Sequence, residues 1–559
     1  MRFHRFVAAC TIVAQISTAA FAQTTPAQMT PAQTTPAPAT TTTALPTPAV
    51  AIPPSPTPAP PAEPGKQPSL HVRCDGRPPQ MSDGESFARI LGAVTLLGIF
   101  APRPEMADAT KRLTGEAGIA ACSELIDGPH RDGNGLRRLQ LILARAIHHL
   151  ETKDYKAALA DVDKARAESK DLNLLGNPYF DQSFGLSFDL LGAQATYLLG
   201  DAAGAREIGL RTASHSQFGF FPMITAVMFS HALRTASPAE DAALNARDRI
   251  AKFGVQSHAM RLDDQGRFAE AGKLREALIA LFGNFNSESP LAWLRSNAAL
   301  DWAMAGDWAR AEDLATTARA SIDKGDTEGK PDPSRAVVIE VLDFHAVLKA
   351  AHEGKIDEAR RLFSGRSEWT APTFGVVAAT TTMLRKGAKP EQLIGPLAKT
   401  EDDMWKARED KSKAQFLQNI SEGKIEWGNI MPFAKIDEYE KTSGRVWKGE
   451  RSGVLGDKPE KNSKFYKLNP VRLEPIYRVV APDSLLLGAA VIAKARGFKG
   501  FVYFGSQAIW ADRFVEFGNP GDPDMIEPFY LDADAVIADL RQLIPSPEDL
   551  AARQKAVKS

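Results

Sequence analysis

Cysteine is almost absent from this chain: Cys10, Cys74 and Cys122 are the only three in 559 residues. No C-x-x-C pair occurs, and a cysteine-built metal site needs more ligands than these positions supply. An excess of one charge is lacking too. Lys and Arg number 67 against 68 Asp and Glu, for a formal net charge of -1. That balance argues against the broad basic field by which proteins hold nucleic acid. Beyond the N-terminus no segment reaches about 18 uninterrupted apolar residues, so no transmembrane span is expected. There is no H-E-x-x-H, G-x-S-x-G, G-x-G-x-x-G or P-loop. The sequence therefore offers no catalytic residue, metal ligand or cofactor-binding motif.

What is present begins with a compartment signal. Arg2 and Arg5 precede an apolar run from Phe6 to Ile16, and Ala20-Phe21-Ala22 supplies an A-x-A cleavage site before Gln23. Residues 1–22 read as a secretory signal peptide, which predicts an exported protein of the periplasm or cell envelope. Cleavage leaves Cys74 and Cys122. In an exported chain these suggest one disulfide, the alternative being a buried thiol in the Ala120-Ala121-Cys122 helix. Residues 23–68 are nearly all Thr, Pro, Ala and Gln and read as a disordered, polyproline-like linker.

Residues 69–423 carry helix after helix. Phe87 to Phe100 reads as a buried helix and Thr110 to Ile126 as the next. A short turn motif then recurs five times: Lys153-Asp154-Tyr155 with Ala158, Gly200-Asp201 with Ala205, Gly266-Arg267-Phe268 with Ala271, Gly306-Asp307-Trp308 with Ala311, and Gly354-Lys355-Ile356 with Ala359. Seven positions before the turn residue stand Ala146, Ala193, Ala259 and Ala299, with Val347 in the fifth unit. Small residues on both sides of a tight turn allow two helices to approach closely, so each unit reads as a helical hairpin.

This small–small–aromatic skeleton, clearest in Ala299, Trp308 and Ala311 and in Ala146, Tyr155 and Ala158, resembles the tetratricopeptide repeat family over roughly residues 135 to 370. The turns fall roughly 40 to 66 residues apart against the family's 34, and Ala202 replaces the large residue in the second unit. The repeats are thus degenerate. An extra helix over Phe218 to Arg234 accounts for part of the longer spacing. The resemblance implies a solenoid that binds peptides or partner proteins.

Residues 424–469, rich in Gly, Lys, Glu and Ser, read as an extended connector, with Trp405, Trp427 and Trp447 placed to pin it to the repeat body. Residues 470–545 read as a small α+β domain: a strand over Leu473 to Val480, a helix capped by Asp483 and ended by Gly497, strands at Phe498–Phe504, Phe514–Phe517 and Phe529–Leu531, and a last helix capped by Asp532 or Asp534. Residues 546–559 form a tail. The fold class expected is mainly α, a tetratricopeptide-like helical-hairpin solenoid followed by this small α+β domain.

The remaining polar clusters read as structural. Side chains of His148 and His149 leave a helix about 100° apart. His345 and His352 are about 10 Å apart along one. Asp532, Asp534 and Asp539 suit helix caps and a solvated face. Glu401 to Lys413 is a mixed charge run, the mark of an exposed helix. Phe218, Phe220, Phe221 and Phe229 suit a core. Function is therefore expected to be non-enzymatic, an interaction scaffold for an unknown protein or peptide. A ligand-binding or hydrolase-like activity in the C-terminal domain is the alternative.

Overall fold

The computed structural model describes residues 67–79, 105–177, 180–219, 237–250, 252–284, 291–421, 443–453, 455–459, 464–469, 477–505, 513–527 and 529–558. The helix expected over Phe87–Phe100, most of that expected over Phe218–Arg234, and all but the last two residues of the linker lie outside them. Helix α1 (Leu70–Asp75) is followed by α2 (Gly115–Ile126), α3 (Gly135–Glu151) and α4 (Tyr155–Asp171). Then come α5 (Leu186–Leu198), α6 (Ala202–Ser214), α7 (Pro238–Ile250), α8 (Lys252–Asp264) and α9 (Phe268–Asn284). Helices α10 (Leu291–Ala305), α11 (Trp308–Thr327), α12 (Arg335–His352), α13 (Ile356–Ser364), α14 (Phe374–Arg385) and α15 (Glu401–Ser421) complete the helical body. Among the described residues no helix is long and apolar enough to cross a membrane.

Local chemistry explains the helix boundaries. The Asn134 side chain accepts the Arg137 N–H at 3.1 Å and opens α3. Leu139, Ile142, Leu143, Ala146, Ile147 and Leu150 then form its buried stripe. The helix stops at Lys153, whose φ of 64° is left-handed, and Asp154 caps α4 through the Ala157 N–H at 3.1 Å.

The same junction occurs at all five motifs. The left-handed position is Lys153, Gly200, Gly266, Gly306 or Gly354, with φ between 64° and 98°. The following N–H reaches back five residues in each: Asp154 to His149 at 2.8 Å, Asp201 to Thr196 at 3.2 Å, Arg267 to Leu262 at 2.8 Å, Asp307 to Trp302 at 2.9 Å, and Lys355 to Ala350 at 2.9 Å. This satisfies carbonyls that a helix end leaves without partners. The junctions join α3 to α4, α5 to α6, α8 to α9, α10 to α11 and α12 to α13, and each pair packs together.

After the fifth junction the chain turns back. Helix α14 packs on α8 and α10, and α15 packs on α14 and α3. The first helices of three hairpins are thus contacted by later segments of the same chain.

The C-terminal part contains β1 (Leu455–Pro459), β2 (Tyr466–Leu468), α16 (Tyr477–Ala495), β3 (Gly500–Gly505), β4 (Arg513–Gly518), β5 (Tyr530–Asp532), α17 (Ala533–Leu540) and α18 (Pro547–Lys558). The strands form an antiparallel sheet in the order β1-β2-β4-β3-β5. Phe501, Tyr503, Val515 and Leu531 share a buried core with Leu486, Ala489, Ala490 and Ala493 of α16.

Three details differ from the sequence reading. Strands β1 and β2 come from the stretch read as connector, and Val446 and Trp447 pack into the C-terminal core. The Trp447 indole N–H donates to the Ile544 carbonyl at 2.9 Å, so this tryptophan pins its segment to the C-terminal sheet part and not to the preceding helical body. Residues Tyr477 to Val480 are helical where a strand was expected, which places Asp483 inside α16, buried, and not at its cap. Trp427 lies outside the described residues.

Candidate functional site

The cysteines at positions 74 and 122 are joined. Cys74 of α1 and Cys122 of α2 form a disulfide with a Cα–Cα distance of 4.9 Å, both fully buried. Polar bonds reinforce the clasp. Arg137, buried on α3, donates to both Asp75 carboxylate oxygens, to Gln140 Oε1 at 3.0 Å and to the Arg77 carbonyl at 3.1 Å. His148 Nε2 meets the Cys74 carbonyl at 2.9 Å and Nδ1 meets Glu151 at 2.9 Å. His149 lies 3.7 Å from Asp161 instead. Each of these two histidines has its own structural neighbours.

The alanines of the turn motifs are interior. Ala158, Ala205, Ala271, Ala311 and Ala359 are buried, as are Ala146, Ala193, Ala259 and Ala299. Ala146 and Ala158 share one apolar cluster, Ala193 and Ala205 a second, and Ala259 and Ala271 a third. Tyr155, Phe268 and Trp308 are half-buried against neighbouring clusters. The Trp308 ring stacks on His352 at 4.2 Å and lies 6.1 Å from His345.

The three C-terminal aspartates are dispersed. Asp532 caps α17 through the Ala535 N–H, Asp534 pairs with Lys494 at 2.7 Å, and Asp539 accepts from Ser216 Oγ at 2.5 Å and from the Gln217 and Phe218 N–H groups. Among the described residues no group of three or more His, Cys, Asp or Glu is arranged to hold a metal ion.

Two charge clusters went unanticipated. The first lies on the sheet face opposite α16. Register places Glu516 beside Val502, and Val502 beside Tyr530. Glu516 is 6% exposed and has no hydrogen-bond partner among the described residues. Burial, reinforced by the neighbouring Asp524 carboxylate, pushes its pKa up to about 7. The buried Tyr530 hydroxyl likewise has no hydrogen-bond partner. Two strand spacings put these groups about 10 Å apart, so they do not bond to each other. A glutamate inside the alternating Phe514–Phe517 run was the available signal.

The second cluster lies where α8, α9 and α10 meet. Arg275, fully buried, bridges Asp263 at 2.8 Å and Asp301. Two carboxylates against one guanidinium leave an excess negative charge in a dry site. Burial, with the Asp263 carboxylate adding to it, raises the Asp301 pKa well above the ordinary range. Arg275 sits one turn after Ala271 and three residues before Leu278, on the buried stripe of α9. A charge on an apolar stripe was the trace left in the sequence.

This cluster continues outward to α15. Asp264, the last residue of α8, pairs with Arg408 at 2.9 Å. The Arg408 guanidinium lies over the Phe374 ring at 4.6 Å and the Trp405 ring at 5.3 Å. Those rings meet edge to face at 4.6 Å. Burial raises the Asp264 pKa, while Arg408 opposes the shift. Gly375 of α14 lies so close that an added Cβ would come within 2.3 Å of the Asp263 backbone.

No protein-family model, curated protein or solved structure matches this chain.

Proposed function

We propose that the chain is an exported tetratricopeptide-like scaffold that binds a protein or peptide in the bacterial periplasm or envelope. The observation that carries this reading is the recurrence of one junction, with the same left-handed position, backbone bond and buried alanine, in five helical hairpins. Stacked hairpins of this kind present extended surfaces suited to chain-like ligands. The export half rests on the signal-like N-terminus, and the buried disulfide agrees with an oxidising compartment.

Both halves are testable. N-terminal sequencing of the secreted chain should begin at Gln23, and retention of Met1 on a cytosolic product would remove the export half. A photocrosslinking residue placed at exposed positions of α15 or α11 in living cells should yield one discrete adduct. Absence of any adduct from every position would remove the scaffold half.

A second reading rests on Glu516 and Tyr530, buried polar groups on one face of the sheet: the C-terminal domain binds a small ligand or has a hydrolase-like activity. Turnover of chromogenic esters or phosphates that vanishes in Glu516→Gln would favour it. Equal turnover in both proteins, or none, would count against it.

A further inference from the structure

Trp308, the aromatic residue of the fourth junction, is shared by two hairpins. It opens α11 of the fourth, and its ring meets two histidines on α12 of the fifth. His352 stacks on it at 4.2 Å, and His345 lies 6.1 Å away at a tilt of 52°. The two histidines differ in setting. His352 is exposed at the end of α12, whereas His345 is 6% exposed, on a buried stripe with Val341, Phe344 and Leu348.

A buried histidine in this chain can be fully bonded: both ring nitrogens of His148 have partners. At His345 the buried Nε2 has none among the described residues. An imidazole so placed costs stability when neutral and far more when charged. The charged groups that act on it are Glu312 of α11 and Lys349 of its own helix, and these already pair with each other at 2.8 Å. Helices α10 and α13 also pack on α12, and among the described residues neither sets a charge against the ring. Burial holds the His345 pKa below 6.5, although Glu312 opposes the shift and Lys349 adds to it. Stability that depends on the neutral ring is therefore complete above about pH 6.5 and is lost as pH falls.

We propose that the Trp308–His345 contact between α11 and α12 is an acid-labile joint: a proton taken up at His345 weakens the hold of the fifth hairpin on the fourth. His352, at the exposed end of the same stack, keeps its place when charged, because a cation over an indole ring is attracted to it. The response is local. It acts on one hairpin contact and leaves the first hairpin, with its bonded His148, as it was. The inference goes beyond the scaffold reading and rests on packing alone, so its failure leaves the export and scaffold tests unaffected.

The experiment follows amide hydrogen exchange of the purified full chain at pH 5 and pH 7.5, corrected for intrinsic rates. Residues 308–320 and 335–352 should open about 10-fold more readily at the lower pH, while residues 135–171 of the first hairpin keep their protection. His345→Leu, which fills the space with a side chain that cannot be charged, should abolish the difference. His352→Leu should leave it in place. Exchange at the imidazole C2–H, read residue by residue by mass spectrometry on the unaltered chain, guards against a misfolded variant: His345 should charge only below about pH 6.5. Absence of the acid response in the wild type, the same response in His345→Leu, equal opening of the first hairpin, or a His345 that charges at or above about pH 6.5 would overturn the proposal.

Discussion

Lys153 occupies a backbone conformation that Gly200, Gly266, Gly306 and Gly354 occupy in the equivalent junctions. A side chain in the left-handed region costs roughly 1 kcal/mol. Lys153→Gly should therefore stabilise the protein by about 0.5–1 kcal/mol, and Gly306→Ala should destabilise it by about 1 kcal/mol. At Gly306 an added Cβ meets nothing within 4 Å, so that loss would be conformational, and denaturant titration of the two variants measures both signs. Glu516 supplies a pH test. Its pKa rises from 4.5 to about 7 on folding, so the folded state holds the proton more tightly than the unfolded chain. Stability should fall as pH rises from about 4.5 to about 7 and then level off. Glu516→Gln should match the wild type at pH 5 and exceed it at pH 8. Asp301 titrates in the same direction, its pKa raised chiefly by burial. Asp301→Asn should therefore remove a loss of stability with rising pH and leave the fold unchanged by circular dichroism. Removing Arg275, in contrast, strands two buried carboxylates and should cost about 3–5 kcal/mol.

Helix pairing rests on small residues at the crossings. Ala311, fully buried on α11, should not accept a larger side chain. Ala311→Leu should cost about 1–3 kcal/mol by overpacking, whereas Ala320→Leu, exposed on the same helix, should change stability by under about 0.5 kcal/mol. Equal effects from the two would dissociate the motif from helix packing. The helices and their junctions were legible because their causes are local: a stripe at the helical period, a left-handed residue, and a capping aspartate within three positions. Strand β1 was not legible, since Leu455-Gly456-Asp457-Lys458-Pro459 has no alternation and owes its state to pairing with β2. Val479 and Val480 suggested a strand through their branching, yet they lie in α16; tertiary context overrides such propensities. The charge clusters were hidden for a similar reason. Arg275 finds Asp263 and Asp301 12 and 26 residues away, and Arg408 finds Asp264 across 144. Spacing along the chain does not encode those meetings.

The C-terminal domain and the helical body share a core. Phe218 and Ile250, from the helical body, belong to the same buried cluster as Leu486, Phe501 and Val515. Asp539 of α17 fastens that junction, accepting from Ser216 Oγ at 2.5 Å, the Gln217 N–H at 3.1 Å and the Phe218 N–H at 3.0 Å. Ser216 Oγ in turn accepts the Gly219 N–H, so one carboxylate organises a whole turn of the helical body. Separate domains joined by a linker melt in separate steps, whereas domains that bury one another's apolar residues melt together. The intact chain is therefore expected to show one calorimetric transition for residues 68–559. Asp539→Ala leaves backbone donors beside an apolar core without their acceptor, which costs about 1–3 kcal/mol. It should weaken the junction more than either part, splitting the transition or broadening it, with hydrogen exchange rising first around residues 216–219. A wild-type chain that already melts in two well-separated steps would show that the shared core does not couple the two parts.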